Sequence, residues 1–272
     1  LILHVGGKLV SKQIQRTVAA CRGTVVQALN HCERQDPHHR TDLRIEADIP
    51  PLCDAILARV LQHTDSPPET VSGETVDDLL AADSCASEAS IARTIARQIP
   101  ATGALFLGNS MPVRNMDLFA DTDGAAVPVG VNRGASGIDG LIATASGFAK
   151  GLHRHVTLLI GDISYLHDLS SLALAQHHRL TIVILNNDGG GIFGHLPIAE
   201  RADVFEEYFL TPHGWRFEHT ATQFELKYEH TETTENFRQA YEDALSSDAS
   251  TIIEVTIDRQ HSMDTHRRIV EL

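Results

Sequence analysis

At 272 residues the chain is long enough for one large or two medium domains, and Lys+Arg 22 against Asp+Glu 36 gives a formal charge of −14. That balance argues against nucleic acid or an anionic membrane as partner, because both call for a basic face. No run approaches the ~18 apolar residues of a membrane-spanning helix, and no signal peptide is visible, so a cytoplasmic protein without membrane insertion is expected.

The chain opens on Leu1 inside a predicted strand, without an initiator Met, and reads as a fragment whose N-terminal part is missing. Cys21, Cys32, Cys53 and Cys85 form no C-x-x-C pair and are expected to be free thiols. The paired histidines His38-His39 and His177-His178 point in different directions on a helix or a strand, which favours surface or capping roles over a metal.

Residues 1–62 read as part of an α/β domain: a strand Leu1 to Val5, a helix Ser11 to Cys21 capped by Ser11, and a strand Thr24 to Leu29. Asn30 to Thr41 is a polar loop, and Pro50-Pro51 opens a helix through Leu61 with Ile56, Leu57, Val60 and Leu61 inward. The Gly6-Gly7 pair is no G-x-G-x-x-G fingerprint, so a dinucleotide site there is rejected. Residues 63–86, with weak patterning only at Val76, Leu79 and Leu80, suit an interdomain linker with one short helix.

A second domain is expected over 87–272. Ile91, Ile95 and Ile99 stripe a helix ended by Pro100, followed by a strand Gly103 to Leu107 and a helix Met111 to Phe119. Ser110 and Arg114 then stand one helical turn apart at a strand end. Val127 to Gly130 is a short strand, Asn132 to Gly140 a glycine-broken loop bearing Arg133 and Ile138, and Leu141 to Gly151 a small-residue helix. Further on come short helices at Phe205 to Phe209 and Thr222 to Tyr228, a longer one at Phe237 to Leu245, a last strand Thr251 to Val255 and a polar, mobile tail after Asp258. Trp215 and Phe217 are expected to cover the sheet.

The chemistry concentrates between Val156 and Phe193. Val156 to Ile160 and Thr181 to Leu185 are apolar and β-branched, as strands buried on both faces must be, and Asp168 to Gln176 carries Leu169, Leu172, Ala173 and Ala175 at helical spacing. A strand, crossover helix and parallel strand follow, within an α/β, doubly wound parallel sheet. Asp162 after Gly161 and Asn187 after Asn186 therefore lie at the carboxyl ends of two parallel strands, where open α/β sheets bind ligands. An Asp carboxylate, the Asn187 amide oxygen and a backbone carbonyl at Gly189 make an all-oxygen set suited to Mg²⁺ (or Mn²⁺), whose other positions go to water and phosphates. Gly161, Asp162, Ile163 and Ser164, opening a helix, favour an anion beside the ion, which points to a diphosphate. The Gly189-Gly190-Gly191 run allows close backbone approach, and Ile192, Phe193 and Leu196 suit an apolar wall. No Gly-Lys-Ser/Thr follows, so a Walker-type loop is excluded.

The stretches GNSMPVRNMDLF, NRGASGIDGLIATASGFAKG, GDISYLHDLSSLAL and NNDGGGIFGHLP together resemble the MenD family of 2-succinyl-5-enolpyruvyl-6-hydroxy-3-cyclohexene-1-carboxylate synthases, within the thiamin diphosphate (ThDP) enzyme superfamily. The likeness is strong from Ser87 onward and weak over the first 60 residues. It implies the thiamin diphosphate-binding fold, ThDP and a divalent metal as cofactors, and a transferase of menaquinone biosynthesis that decarboxylates 2-oxoglutarate and adds the product to isochorismate. It also implies that Ile138 wedges open the V-shaped bend of the cofactor, and that Ser110, Arg114, Arg133 and Lys12 hold substrate carboxylates. A homodimer or tetramer with the site between subunits follows from the same likeness, as does an activating glutamate on an N-terminal domain that nothing in this chain matches. An isolated chain without that domain is expected to be inactive. Two alternatives stay open: another ThDP enzyme, such as an acetolactate synthase relative, and a non-catalytic folded module.

Overall fold

The computed structural model describes residues 1–9, 11–32, 35–59 and 73–271, without the side chains of Lys12 and Glu74, so Val60, Leu61, most of the expected linker and the Lys12 side chain lie outside the described residues. The chain divides into two compact units, Leu1–Glu69 and Thr70–Leu272.

The first unit contains β1 (Ile2–Val5), α1 (Lys12–Ala20), β2 (Val25–Leu29), β3 (Leu43–Glu46) and α2 (Ile49–Leu57), with a parallel sheet in the order β1-β2-β3. Ser11 caps α1 by accepting the Ile14 N–H at 3.4 Å. Strand β3 is not anticipated from the sequence, because LRIE alternates charged with apolar residues over only four positions. On α2 the expectation of Leu57 as an inward residue fails, since it is 72% exposed. The partly buried stripe is Ile49, Leu52, Cys53 and Ile56, and that helical period turns Leu57 outward.

The second unit runs α3 (Gly73–Ala81), α4 (Glu88–Gln98), β4 (Ala104–Leu107), α5 (Met111–Phe119), β5 (Val129–Val131), α6 (Leu141–Leu152), β6 (Val156–Gly161), α7 (Asp162–His167), α8 (Leu172–Ala175), β7 (Leu180–Asn186), α9 (Ala202–Phe205), α10 (Glu218–Gln223), β8 (Lys227–Thr231), α11 (Thr234–Ser246), β9 (Thr251–Thr256) and α12 (Arg259–Val270). Its six strands are all parallel, in the order β5-β4-β6-β7-β9-β8. Alternate residues feed two cores, one on each face. Leu159, Val183, Leu185, Ile253 and Val255 meet Ile91, Ile95, Phe119, Phe237 and Ile269 from α4, α5, α11 and α12. Leu158, Ile160, Ile182, Ile184 and Ile252 meet Leu141, Ile142, Leu172 and Ala221 from α6, α8 and α10. A parallel sheet covered on both faces is the doubly wound α/β arrangement expected from the unbroken apolar runs.

Helix α3 lays Val76, Leu79 and Leu80 against the first of these cores. Helix α4 starts on a capping box: the Ser87 hydroxyl accepts the Ser90 N–H at 3.1 Å, and the Ser90 hydroxyl accepts the Ser87 N–H at 3.0 Å. Both serines are buried, so Ser87→Ala is expected to lower the unfolding free energy by about 1–2 kcal/mol, read as a reduced urea midpoint at unchanged slope.

Three departures from the sequence reading have local causes. The crossover after β6 is not one helix over Asp168 to Gln176; α7 begins at Asp162 itself and breaks at Asp168. The Asp168 carboxylate turns away to cap α6, accepting the N–H groups of Ile142 at 2.7 Å and Ala143 at 3.0 Å. The stretch Thr222 to Tyr228 is not a helix either. Helix α10 ends at Gln223, and Lys227–Thr231 forms an edge strand whose residues are mostly exposed, which hides its alternation. Finally, the segment after Asp258 is an ordered helix, capped by the Asp258 carboxylate on the His261 N–H, with Ser262, Thr265 and Ile269 buried. Phe217 is buried at 1% exposure, whereas Trp215 is 59% exposed and lies against the His213 ring.

Candidate active site

Gly161 pairs with Leu185 in register, so β6 and β7 end side by side and deliver Asp162 and Asn187 to the same end of the sheet. Between them lies a cavity of about 160 Å³, lined by Gly161 to Ser164, Leu185, Asn187 and Gly189 to Phe193, with Ser110, Met111, Pro112, Ile138 and Glu88 completing the wall. This is smaller than the roughly 300–1,000 Å³ that usually encloses a whole ligand, and it suits one end of a larger molecule.

Asp162 is 2% exposed and serves as a common acceptor. Its carboxylate takes the N–H of Ile163 at 2.7 Å, the N–H of Gly189 at 2.8 Å and His213 Nε2 at 3.1 Å. The Trp215 N–H donates to His213 Nδ1 at 2.9 Å, and a backbone N–H can only donate, so Nε2 is the ring nitrogen that carries the proton towards Asp162. Burial holds the Asp162 carboxyl above the ordinary aspartate range, against the pull of the Gly189, Ile163 and His213 donors.

Asn187 is 9% exposed, and its Nδ2 donates to Glu88 Oε1 at 2.7 Å. Its Oδ1 is buried and has no hydrogen-bond partner. The following loop is tied down at several points. Asp188 adopts φ 60° and accepts the N–H groups of His213 at 2.9 Å and Gly214 at 2.7 Å, while Arg259 from α12 donates to the carbonyls of Asn187 at 3.1 Å and Asp188 at 3.2 Å. Burial raises the Asp188 carboxyl, but the Gly214 and His213 backbone donors and the nearby Arg259 charge outweigh it and hold it low. Gly189 has φ 128°, and a Cβ there would fall on the Leu210 carbonyl oxygen. A Cβ on Gly191 would fall on the Asn187 amide. The glycines thus let the loop fold tightly on its own chain.

The structure places Gly161, Asp162, Ile163, Ser164, Asn187, Gly189, Ile192, Phe193, Ile138 and Ser110 on one cavity wall. The Gly189 carbonyl already accepts the Gly191 N–H at 2.9 Å and keeps one lone pair for a further donor or ion. Ser110 makes no cap bond from its side chain and has a strained backbone at φ 70° and ψ −129°. Three residues expected at the site stand off the cavity wall. Leu196 is 36% exposed, Arg114 turns back to the Ser110 carbonyl at 2.5 Å, and Arg133 is exposed and donates to Asn109 Oδ1 at 3.1 Å. Sequence reasoning missed Glu88, His213 and Arg259. Each is an ordinary polar residue in its local context, and only the tertiary fold brings it to the loop.

A divalent cation fits this donor set. Asn187, with its orphaned Oδ1, and Asp162 line one cavity, and hard oxygen donors are what such an ion takes. Among the described residues no group of three or more His, Cys, Asp or Glu could hold a metal.

The thiamine pyrophosphate enzyme family, through its C-terminal TPP binding domain, matches residues 131–255, which span both strand ends and the glycine loop. Over those residues the chain matches the C-terminal domain of thiamin pyrophosphate-dependent enzymes, and along nearly its whole length it is homologous to MenD synthases. It is 43% identical to the 2-succinyl-5-enolpyruvyl-6-hydroxy-3-cyclohexene-1-carboxylate synthase of Rubrobacter xylanophilus over 99% of this chain and 48% of that one. With the synthase of the same name from Prosthecochloris aestuarii the identity is 41%, over 99% of this chain and 47% of the relative. The chain therefore spans about half the length of the curated relatives it matches. Among solved structures, a protein of Mycobacterium smegmatis provisionally assigned as a thiamin diphosphate-dependent enzyme superposes with a TM-score of 0.65 at 16% identity, covering 94% of this chain and 48% of that one. That likeness speaks to the fold, which is the superfamily's parallel α/β sheet. No helix among the described residues is long and apolar enough to cross a membrane.

Proposed function

We propose that this chain binds the diphosphate of ThDP through Mg²⁺ or Mn²⁺ held by Asp162, Asn187 Oδ1 and the Gly189 carbonyl, and that it serves a MenD-type synthase acting on 2-oxoglutarate and isochorismate. The observation that carries the reading is the buried, unpartnered Asn187 Oδ1 beside the Asp162 carboxylate on one cavity. When bound, ThDP supplies the electron sink for decarboxylating a 2-oxo acid. The protein's part is to hold and orient. Gly161, Ile163 and Ser164 face the diphosphate, Ile138 supports the bend of the cofactor, and Ile192 and Phe193 keep water from that side. Ser110, Arg114, Arg133 and Lys12 grip substrate carboxylates, with Leu196 as an apolar contact beyond the cavity. Clustered guanidinium groups explain how a chain of net charge −14 attracts polyanionic substrates. The cytoplasm is the proposed compartment, and a homodimer or tetramer with the site between subunits the proposed assembly.

Calorimetry with ThDP and Mg²⁺ tests the cofactor reading: binding that needs both together is expected, and no binding of the pair would overturn it. Substrate binding is tested at Arg133, which Asn109 holds while the rest of its guanidinium is exposed. Arg133→Ala is expected to raise the Kd for 2-oxoglutarate or isochorismate about tenfold or more at unchanged ThDP affinity, as the loss of one charged contact requires. Unchanged constants for both substrates would remove Arg133 from the site, and pyruvate replacing 2-oxoglutarate as donor would redirect the substrate assignment.

A further inference from the structure

Glu88 opens α4, and its side chain is enclosed at 8% exposure. Its backbone N–H donates to Ser262 Oγ of α12 at 3.1 Å, which fixes where the residue begins. Both carboxylate oxygens are used: Oε1 accepts Asn187 Nδ2 at 2.7 Å, and Oε2 accepts Asn115 Nδ2 at 2.5 Å. Its neighbours at hydrogen-bond distance are these two amides, so the enclosed carboxylate faces donors on both sides. The Asn187 group that faces Glu88 is thus its amide nitrogen. The two ends of a planar amide point apart, so Oδ1 is turned away from Glu88; it has no protein partner, and Asn187 lines the cavity. Free to rotate, the same amide could present its N–H₂ to that space, and a cation would be repelled by it.

We infer that Glu88 is a positioning residue for the metal site: by holding Asn187 Nδ2 it fixes the amide with Oδ1 aimed at the place a divalent cation occupies. This rests on the cofactor reading proposed above and adds to it a residue that touches neither metal nor cofactor. Groups behind metal ligands that fix their orientation typically contribute about 10–100-fold in metal affinity.

The test is Mn²⁺ affinity, followed by electron paramagnetic resonance at saturating ThDP, in the chain and four variants. Glu88→Met keeps the approximate volume but offers no acceptor, and is expected to weaken Mn²⁺ about 10–100-fold. Glu88→Gln keeps an acceptor for Asn187, and its new amide group can be met by Asn115 once that side chain turns its amide over to present Oδ1, which is buried and unpartnered. The Gln variant should therefore bind Mn²⁺ within about threefold of the unaltered chain. In an Asn187→Ala background, Glu88→Met should have no further effect, because the residue acts through Asn187. Unaltered affinity in a folded Glu88→Met variant would overturn the inference, as would an equal loss in the Asn187→Ala background. If the Met variant fails to fold, Glu88→Gln carries the test alone: a tenfold loss there would mean that charge and not orientation matters. Failure of the unaltered chain to bind Mn²⁺ with ThDP would bring down the cofactor reading as well, whereas binding equal in the unaltered chain and both Glu88 single variants sinks only the role of Glu88.

Discussion

Asp162→Ala is expected to abolish detectable binding of ThDP with Mg²⁺ and to lower the stability of the cofactor-free chain. Asp162 provides the anionic ligand of the proposed donor set; the other two, an amide and a backbone carbonyl, are neutral. An ion as reluctant to shed water as Mg²⁺ needs at least one carboxylate to hold it, and affinity should fall by more than about a hundredfold. The carboxylate is also structural. It satisfies the N–H groups of Ile163 and Gly189 and the ring N–H of His213, two of them deep in the loop. Stranding a buried donor costs about 1–3 kcal/mol, so a loss of about 2–4 kcal/mol is expected even without ligand. Asp162→Asn does not escape this, because an amide has one acceptor oxygen for three donors. Thermal melts separate the two effects. The unaltered chain should gain about 2.7 kcal/mol of stability when ligand stands at a hundred times its Kd, and the variant should melt lower and gain nothing. A ligand-induced shift retained in full by Asp162→Ala would remove Asp162 from the site.

What could be read in the sequence, and what could not, divides along the range of the forces involved. The strands β6 and β7 were legible because each is a continuous apolar run, and a parallel strand covered on both faces leaves no other pattern. Their ends were legible as well, since Gly161-Asp162 and Asn186-Asn187 break those runs. Strands β3 and β8 were not legible, because an exposed edge of four or five residues does not have to be apolar. Helix α12 is so polar that it reads as a tail; its buried Ser262, Thr265 and Ile269, the Arg259 bonds to the glycine loop and a capped start order it, and most of those depend on partners elsewhere in the chain. The break in the crossover at Asp168 is similar: its carboxylate serves the first turn of α6, 25 or 26 positions earlier, and nothing near Asp168 announces that. Glu88 stands 99 positions from the Asn187 it holds, in a first helical turn where acidic residues are ordinary. The ligands were thus visible as motifs, while the groups that orient them were visible only in the fold.

Gly189→Ala is expected to be as damaging to cofactor binding as loss of Asp162, by a different route. At φ 128° an L residue is strained by about 1–3 kcal/mol, and here the added Cβ also meets the Leu210 carbonyl oxygen. That oxygen is no flexible side-chain end. It accepts the Gly190 N–H at 2.7 Å, so relieving the overlap means parting the glycine loop from the turn that ends at Leu210. The Gly189 N–H would then leave Asp162, which it reaches at 2.8 Å, and its carbonyl would leave the place proposed for the ion. Neither core cluster includes Gly189, so the sheet should stay folded while ThDP and Mg²⁺ affinity falls by more than about a hundredfold. Gly214→Ala is the control that isolates strain from collision. Gly214 also has positive φ, at 67°, but a Cβ there meets no heavy atom within 4 Å, and its N–H bond to Asp188 would survive. That variant should lose only about 1 kcal/mol of stability, the penalty for a left-handed L residue, and keep its cofactor affinity within a few fold. Hydrogen exchange over residues 187–213 should speed up in Gly189→Ala and not in Gly214→Ala. If the two variants bind ThDP equally well, the loop is not held by its contact with Leu210, and the positioning of the Gly189 carbonyl falls with it.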